Sequence, residues 1–456
     1  MTAGPADGAG GGQADEQADG QADELAGYWP SAWPGEDGGP TRRQAPNAGP
    51  DTIHGAVTGT FGLTAGRTLR ATTRSTFAPT MCVRRDPGEV YLLSTTIGPD
   101  SVSWVERIHP ESLEPLVRSP DLAGGPFWPG GMLAHADGSL YVTFGCHCHR
   151  LDAETLQPVA SRRLPRERPY NSLLSLPGGQ LVMKDIGGGD GVNRLREGVV
   201  GSELVVLTPG SLDEIDRLEL PEGSIARLSA MGDDVYVVGE SSMHRVRFDG
   251  AAGSLHVDES WSPRYRTVEG QTFGWDVVLA AGSGWFLDNG EGSDDFGGSF
   301  RGKGRSTAPL HLVRVPLDTP GPVDLVEVDG RPGGVIANPP AVDEVRRVAV
   351  GYDSSHGTLA AWRFADPGDG LEPLWRRSQF HAGHMLRLPA TGELLTYDFD
   401  HDRGTDQAVV LDIETGDELG QVDTGSPVQC VLFPAPAPDG GAYVCTFAAV
   451  TRVYGE

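Results

Sequence analysis

The densest group of chemistry-bearing side chains lies where QFHAGHMLRL is followed by TYDFDHD, which brings His381, His384, Asp398, Asp400 and His401 into one short stretch. Imidazole and carboxylate together suit zinc, manganese or iron, so His381, His384, Asp398 and His401 form a candidate site for a divalent metal. In extended chain an H-x2-H pair points to opposite sides. Both rings can face one ion only if the Ala382-Gly383 step bends, which glycine permits. In the competing reading one ring lines a channel and the other bonds a backbone carbonyl.

Other candidates emerge when similar segments of the chain are superposed. One set of β-rich runs ends on Asp185, Glu240, Asp288, Asp353 and Asp398, with Thr96, Gly145 and Phe447 at the matching places elsewhere. The residues leading into the preceding runs are Trp128, Asn171, Arg227, Trp275, Asp276, His381, His384 and Gln429. An arc of carboxylates has three readings. Each can cap backbone N–H groups of the entry loop of the next repeat. Asp288, Asn289, Glu291 or Asp353 can hold a hard cation such as calcium or magnesium with backbone carbonyls. Or His381, His384 and Asp398 bind a transition metal.

Lys184 beside Asp185, with Arg227 and His381 facing them across a channel, would supply an acid, a base and a cation in one pocket. His381, Asp398, Lys184, Asp185 and Arg227 are therefore the catalytic candidates. Trp128, Asn171, Trp275, Asp276, Asp288, Tyr352, Asp353 and Gln429 are the candidates for contacting a substrate. Cys146-His147-Cys148-His149 is weaker, because a strand places its cysteines on one face and its histidines on the other, and packing is the preferred role. No G-x-S-x-G elbow, P-loop or G-x-G-x-x-G after a strand occurs, which removes support for serine hydrolases, NTPases and Rossmann dehydrogenases.

The elements that must position these residues are short strands. From about residue 57 a repeat of roughly 45 to 50 residues runs to the C-terminus, each copy holding four β-rich runs. Its first turn is written DPG at Asp86-Pro87-Gly88, ADG at Ala136-Asp137-Gly138, PGG at Pro177-Gly178-Gly179 and DGG at Asp439-Gly440-Gly441, residues that tolerate hairpin geometry. Second runs align as EVYLLST, SLYVTFG, QLVMKD, DVYVVGE, GWFLDN, RVAVGYD, ELLTYD and AYVCTF. Eight copies without a sustained helical period predict an all-β propeller of eight four-stranded blades, with seven blades and one insertion as the alternative. The last copy has only three runs, so the strand-like FGLTAGRTLRATTRS near the N-terminus is expected to close the ring. The segment Asp288 to Arg305 is the longest insertion. It is expected on the same face as the candidates, as a lid or as a plain loop.

Residues 56–456 thus read as one propeller domain. Residues 1–55, rich in Gly, Ala, Asp and Gln, read as a disordered acidic tail. Within that tail the aromatic patch from Leu25 to Trp33 either packs onto the domain or is incidental. A net charge of −27 repels nucleic acid and anionic membrane, and no apolar stretch is long enough to span a bilayer. With five irregularly spaced cysteines and no signal-like N-terminus, the chain is expected to be cytoplasmic.

Over nearly all of residues 57–456 the repeats resemble the quinoprotein-like and YVTN-like propellers. The likeness is of fold and repeat shape. The tryptophan-docking motifs of the quinone dehydrogenases and the WD signature are absent, so the resemblance implies neither cofactor nor scaffold role. Two functions stand at this point. One is an enzyme acting on a small polar molecule in a pocket on the top face, as a metal-assisted hydrolase, lyase or isomerase. The other is a non-catalytic propeller that binds a small ligand or a protein partner there.

Overall fold

The computed structural model describes residues 25–47, 62–64, 66–186, 201–318 and 321–456. The β-rich runs form eight antiparallel sheets of at least four strands. The innermost strands, in chain order, are Pro79–Arg84, Gly131–Ala134, Tyr170–Ser175, Ser229–Met231, Val278–Ala280, Ala341–Asp343, Leu386–Leu388 and Pro434–Pro436. Each opens a sheet whose later strands lie progressively further out, and together they name the first to the eighth blade. The seven-bladed alternative is thereby excluded.

Ring closure follows the expected route. Pro434–Pro436, Ala442–Cys445 and Ala449–Gly455 supply three strands of the eighth blade, and Leu69–Ser75 adds the fourth in register from Leu69 opposite Gly455 to Ser75 opposite Ala449. Burial falls outward along each blade. In the third blade Tyr170–Ser175 is buried at every position, whereas Glu214–Glu219 is buried at none. The hairpins joining first to second strands carry glycines at positive φ, such as Gly138 at 84° and Gly440 at 92°. In the sixth blade Arg347 takes that conformation instead, at φ 56°.

Residues 25–47 depart from the expectation of a disordered tail. The Leu25 to Trp33 patch packs onto the domain, with Tyr28 and Trp33 inside the hydrophobic clusters, and burial continues through Asn47. The physical reason lies in the ring. Every innermost strand is a sheet edge, and its inward backbone groups need partners. The N-terminal segment supplies them: carbonyls of Trp33, Pro34, Pro40, Thr41 and Gln44 accept hydrogen bonds from the backbone N–H of Arg84, Ala134, Ala230, Leu279 and Arg387 at 2.7 to 2.9 Å. These donors stand at or near the ends of innermost strands, so the segment plugs the channel on its hairpin side. The remainder of the 1–55 expectation lies outside the described residues. Among the described residues no helix is long and apolar enough to cross a membrane.

Candidate functional site

Four of the five carboxylates at the ends of the second strands cap backbone N–H groups, and they do so within their own blade rather than on the next one. Asp288 is fully buried and accepts from the His311 backbone N–H at 2.6 Å, the Gln271 amide at 2.7 Å and the His311 ring at 2.8 Å. Asp353 accepts from the backbone N–H groups of Ser355 and His356 at 2.9 and 3.2 Å, and its other oxygen meets the His356 ring at 2.7 Å. Asp398 accepts from the Phe380 N–H at 2.8 Å, and Asp185 from the Glu203 N–H at 2.6 Å, with Arg166 and Arg168 each 3.4 Å away. Glu240 meets Arg266 at 3.4 Å. Burial raises the pKa of Asp288 and of Asp398, and the bonds to His311 and to Phe380 only partly offset it.

The structure does not gather His381, His384, Asp398 and His401 around one point. His381 Nδ1 accepts from the Tyr397 N–H at 3.1 Å, with its ring parallel to Tyr397, and burial holds it neutral with a pKa of about 3. His384 turns towards the plug, with Nδ1 3.0 Å from Asp37 and its ring stacked on Phe433. His401 instead packs edge-on against Phe380 and Phe399. Gly383 serves close packing, since a Cβ there would meet Tyr397 at 2.9 Å and Cys430 at 3.0 Å. Among the described residues Asp329, Asp353 and His356 are the set close enough to share a metal ion. They already hold one another, and Arg331 and Arg376 contact Asp329, with Arg376 at 2.6 Å. Two guanidinium groups on one carboxylate compete directly with a cation.

Lys184 is sealed in the third blade. Its Nζ donates to the carbonyls of Asp185 and Ser224, both at 2.9 Å, and burial pulls its pKa down to about 7. Arg227 occupies the channel. It donates to the carbonyls of Gly130, Pro129 and Asn171, lies 3.1 Å from Glu36 of the plug, and stacks over Phe433 at 4.7 Å. Asp276 receives the Arg227 N–H at 2.6 Å. Below them Arg42, fully buried, pairs with Glu36 at 2.7 Å and with Asp37 at 2.9 Å. Burial alone would raise the Asp37 pKa, but His384 and Arg42 outweigh it and leave it lowered.

Above Arg227, on the face opposite the plug, a cavity of about 510 Å³ opens at the channel mouth. Phe127, Trp128, Trp275, Phe296, Phe300, Phe433 and Phe447 wall it, while Asn171, Arg227 and Asn338 make its polar floor. Trp128 and Trp275 are 6.3 Å apart between ring centres, and Phe296 bridges Phe300 at 5.0 Å and Phe447 at 5.9 Å. The insertion lies at this mouth and contributes Ser293, Asp294, Phe296 and Phe300. Gln429 pins it, accepting from the Phe300 N–H at 2.9 Å and donating its own N–H to the Gly298 carbonyl at 2.8 Å. Tyr352 lies beneath and donates to the Asn338 carbonyl at 2.9 Å.

Of the sequence-derived candidates, Trp128, Asn171, Trp275 and Arg227 line the cavity, and Gln429, Tyr352 and Asp276 support it. His381, Asp398, Lys184, Asp185, Asp288 and Asp353 do not line it. Reasoning from sequence missed Phe127, Phe296, Phe300, Asn338 and Phe433, although FW at 127–128 and the aromatics of the insertion were available as a signal. A second hollow of about 600 Å³, between Glu222, Glu240, Arg264 and Arg266, is a charged outer groove away from the channel.

These features define an eight-bladed β-propeller, plugged on one face and open to an aromatic pocket on the other. No known family model matches the chain, and no curated protein does. In shape it is similar to the quinohemoprotein alcohol dehydrogenase ADHIIG of Pseudomonas putida HK5, with a TM-score of 0.60 at 11% identity, covering 95% of this chain and 81% of that one. The quinohemoprotein alcohol dehydrogenase of Comamonas testosteroni gives 0.58 at 12%, covering 95% and 82%. BamB from Moraxella catarrhalis gives 0.51 at 11%, covering 84% and 98%. At such identities the likeness is of the fold alone, in line with the quinoprotein-like character of the repeats.

Proposed function

We propose that this chain is a ligand-binding propeller whose channel-mouth pocket holds one small molecule with a flat, largely apolar body. The observation that carries the reading is the ring of seven aromatic side chains around a cavity of about 510 Å³, a size and lining typical of small-molecule sites. Flat aromatic walls reward a flat partner, because each ring offers a large contact area in a fixed geometry. The acid–base groups on which an enzyme would depend favour this reading over catalysis. Lys184, Asp185, Asp398 and His381 are each bonded to backbone and lie outside the cavity lining.

A thermal-shift screen of planar heterocycles tests the proposal. Compounds that raise the wild-type Tm should lose that effect in Trp275→Ala and in Trp128→Ala. Shifts that persist in both variants would place binding elsewhere and defeat the reading. The same proposal keeps the chain in a reducing compartment, which its five unbridged, buried cysteines support, and assigns it no nucleic-acid or membrane partner.

A further inference from the structure

We infer that the ligand of this pocket carries a hydrogen-bond-donating nitrogen at its polar end and is not an anion; the inference rests on the pocket reading above. Most polar atoms of the floor are already committed to other partners. Arg227 would ordinarily attract a carboxylate or phosphate. Here its guanidinium donates to three backbone carbonyls and faces Glu36 at 3.1 Å, so it closes the channel rather than presenting its N–H fork to the cavity. The Asn171 amide nitrogen donates to the Ile225 carbonyl at 2.7 Å, and that of Asn338 donates to the carbonyls of Ala382 and Val431. Carbonyls only accept, so these bonds fix the orientation of both amides.

What remains in the floor is a buried, unpartnered acceptor. Asn171 is 1% exposed, lines the cavity, and its Oδ1 has no partner. A buried carbonyl without a donor costs about 1–3 kcal/mol, which a donor on the ligand would recover. Asp294, on the insertion, adds a carboxylate to the lining and has Arg305 3.5 Å away. Ser293 Oγ is also unpartnered and can serve either way. The indole faces of Trp128 and Trp275 favour a cationic nitrogen over an anion for the same reason that any aromatic face does. An anionic group entering here would meet acceptors and negative ring faces.

The test is a ligand-observed NMR titration of the full-length protein with three probes that share one body: indole, tryptamine and indole-3-acetate. Tryptamine should bind at least tenfold more tightly than indole-3-acetate and more tightly than indole. Asn171→Leu should reduce the advantage of tryptamine over indole, and an advantage that the variant leaves undiminished would overturn the role of the Asn171 side-chain carbonyl. Equal or tighter binding of indole-3-acetate would overturn the inference on the wild-type protein alone, whatever the variant does, and would leave the pocket reading standing. No binding by any of the three at millimolar concentration would instead defeat the pocket reading itself.

Discussion

At the scale of single residues, Asp288 shows what a carboxylate does at the exit of a second strand. Three donors converge on it in a fully buried site. Asp288→Ala would strand the His311 N–H and the Gln271 amide, and the expected loss is about 3 kcal/mol, read as a lower denaturant midpoint at unchanged slope. A metal role for the carboxylate arc predicts otherwise. Elemental analysis of purified protein should find well below one ion per chain, whereas a stoichiometric ion lost in Asp353→Ala would place a centre at Asp329, Asp353 and His356. Lys184 makes a pH prediction. Its folded pKa, about 7, lies below the ordinary 10.5, so between these values the unfolded chain binds the extra proton and stability rises with pH. Wild type should gain about 2 kcal/mol relative to Lys184→Met between pH 7 and 9 in urea titrations. Residue types were readable where the repeat fixed the direction of the side chain. Trp128, Arg227 and Trp275 lead into innermost strands and Asn171 stands near the start of one, and the repeat placed them at the channel. His381, His384 and His401 were not readable as a group, because each ring is turned by local contacts with Tyr397, Phe433 and Phe380 that no spacing encodes.

Among the elements, the plug was the least legible. Residues 25–47 have no strand or helix period, since their backbone bonds mix short turns, such as Gly39 N–H to Glu36 and Gln44 N–H to Asp37, with bonds from the ends of innermost strands. Glycine and proline, which composition reads as disorder, here allow the chain to turn within a narrow channel: Gly38 sits at φ 88° against Trp33. The charges that hold the plug make it sensitive to mutation and to acid. Arg42→Ala would leave Glu36 and Asp37 buried without the partner they share, and a loss of about 3–5 kcal/mol is expected in equilibrium unfolding. The folded pKa of Asp37 is lowered, so its contribution is full above the unfolded value and is lost as pH falls through the folded one. The strands and hairpins, by contrast, were legible nearly throughout, because each copy repeats the same apolar alternation and the same turn chemistry.

For the whole molecule, the ring depends on a strand that lies far from its partner in sequence. Leu69–Ser75 covers the edge of Ala449–Gly455, Thr73 Oγ1 donates to the Thr424 carbonyl at 2.6 Å, and Arg74 pairs with Glu106 of the first blade at 2.6 Å. The first strand described after the plug therefore ties the eighth blade to the seventh and the first. Successive residues of a strand turn their N–H groups to opposite edges, so Ala71→Pro and Thr72→Pro made together must delete at least one donor of that pairing. The double variant should unfold at a lower temperature than wild type. It should also show concentration-dependent association in size-exclusion chromatography, because the uncovered edge can pair with another chain. A variant that stays monomeric with an unchanged Tm would mean that packing of the innermost strands and the plug holds the ring shut without its outer latch.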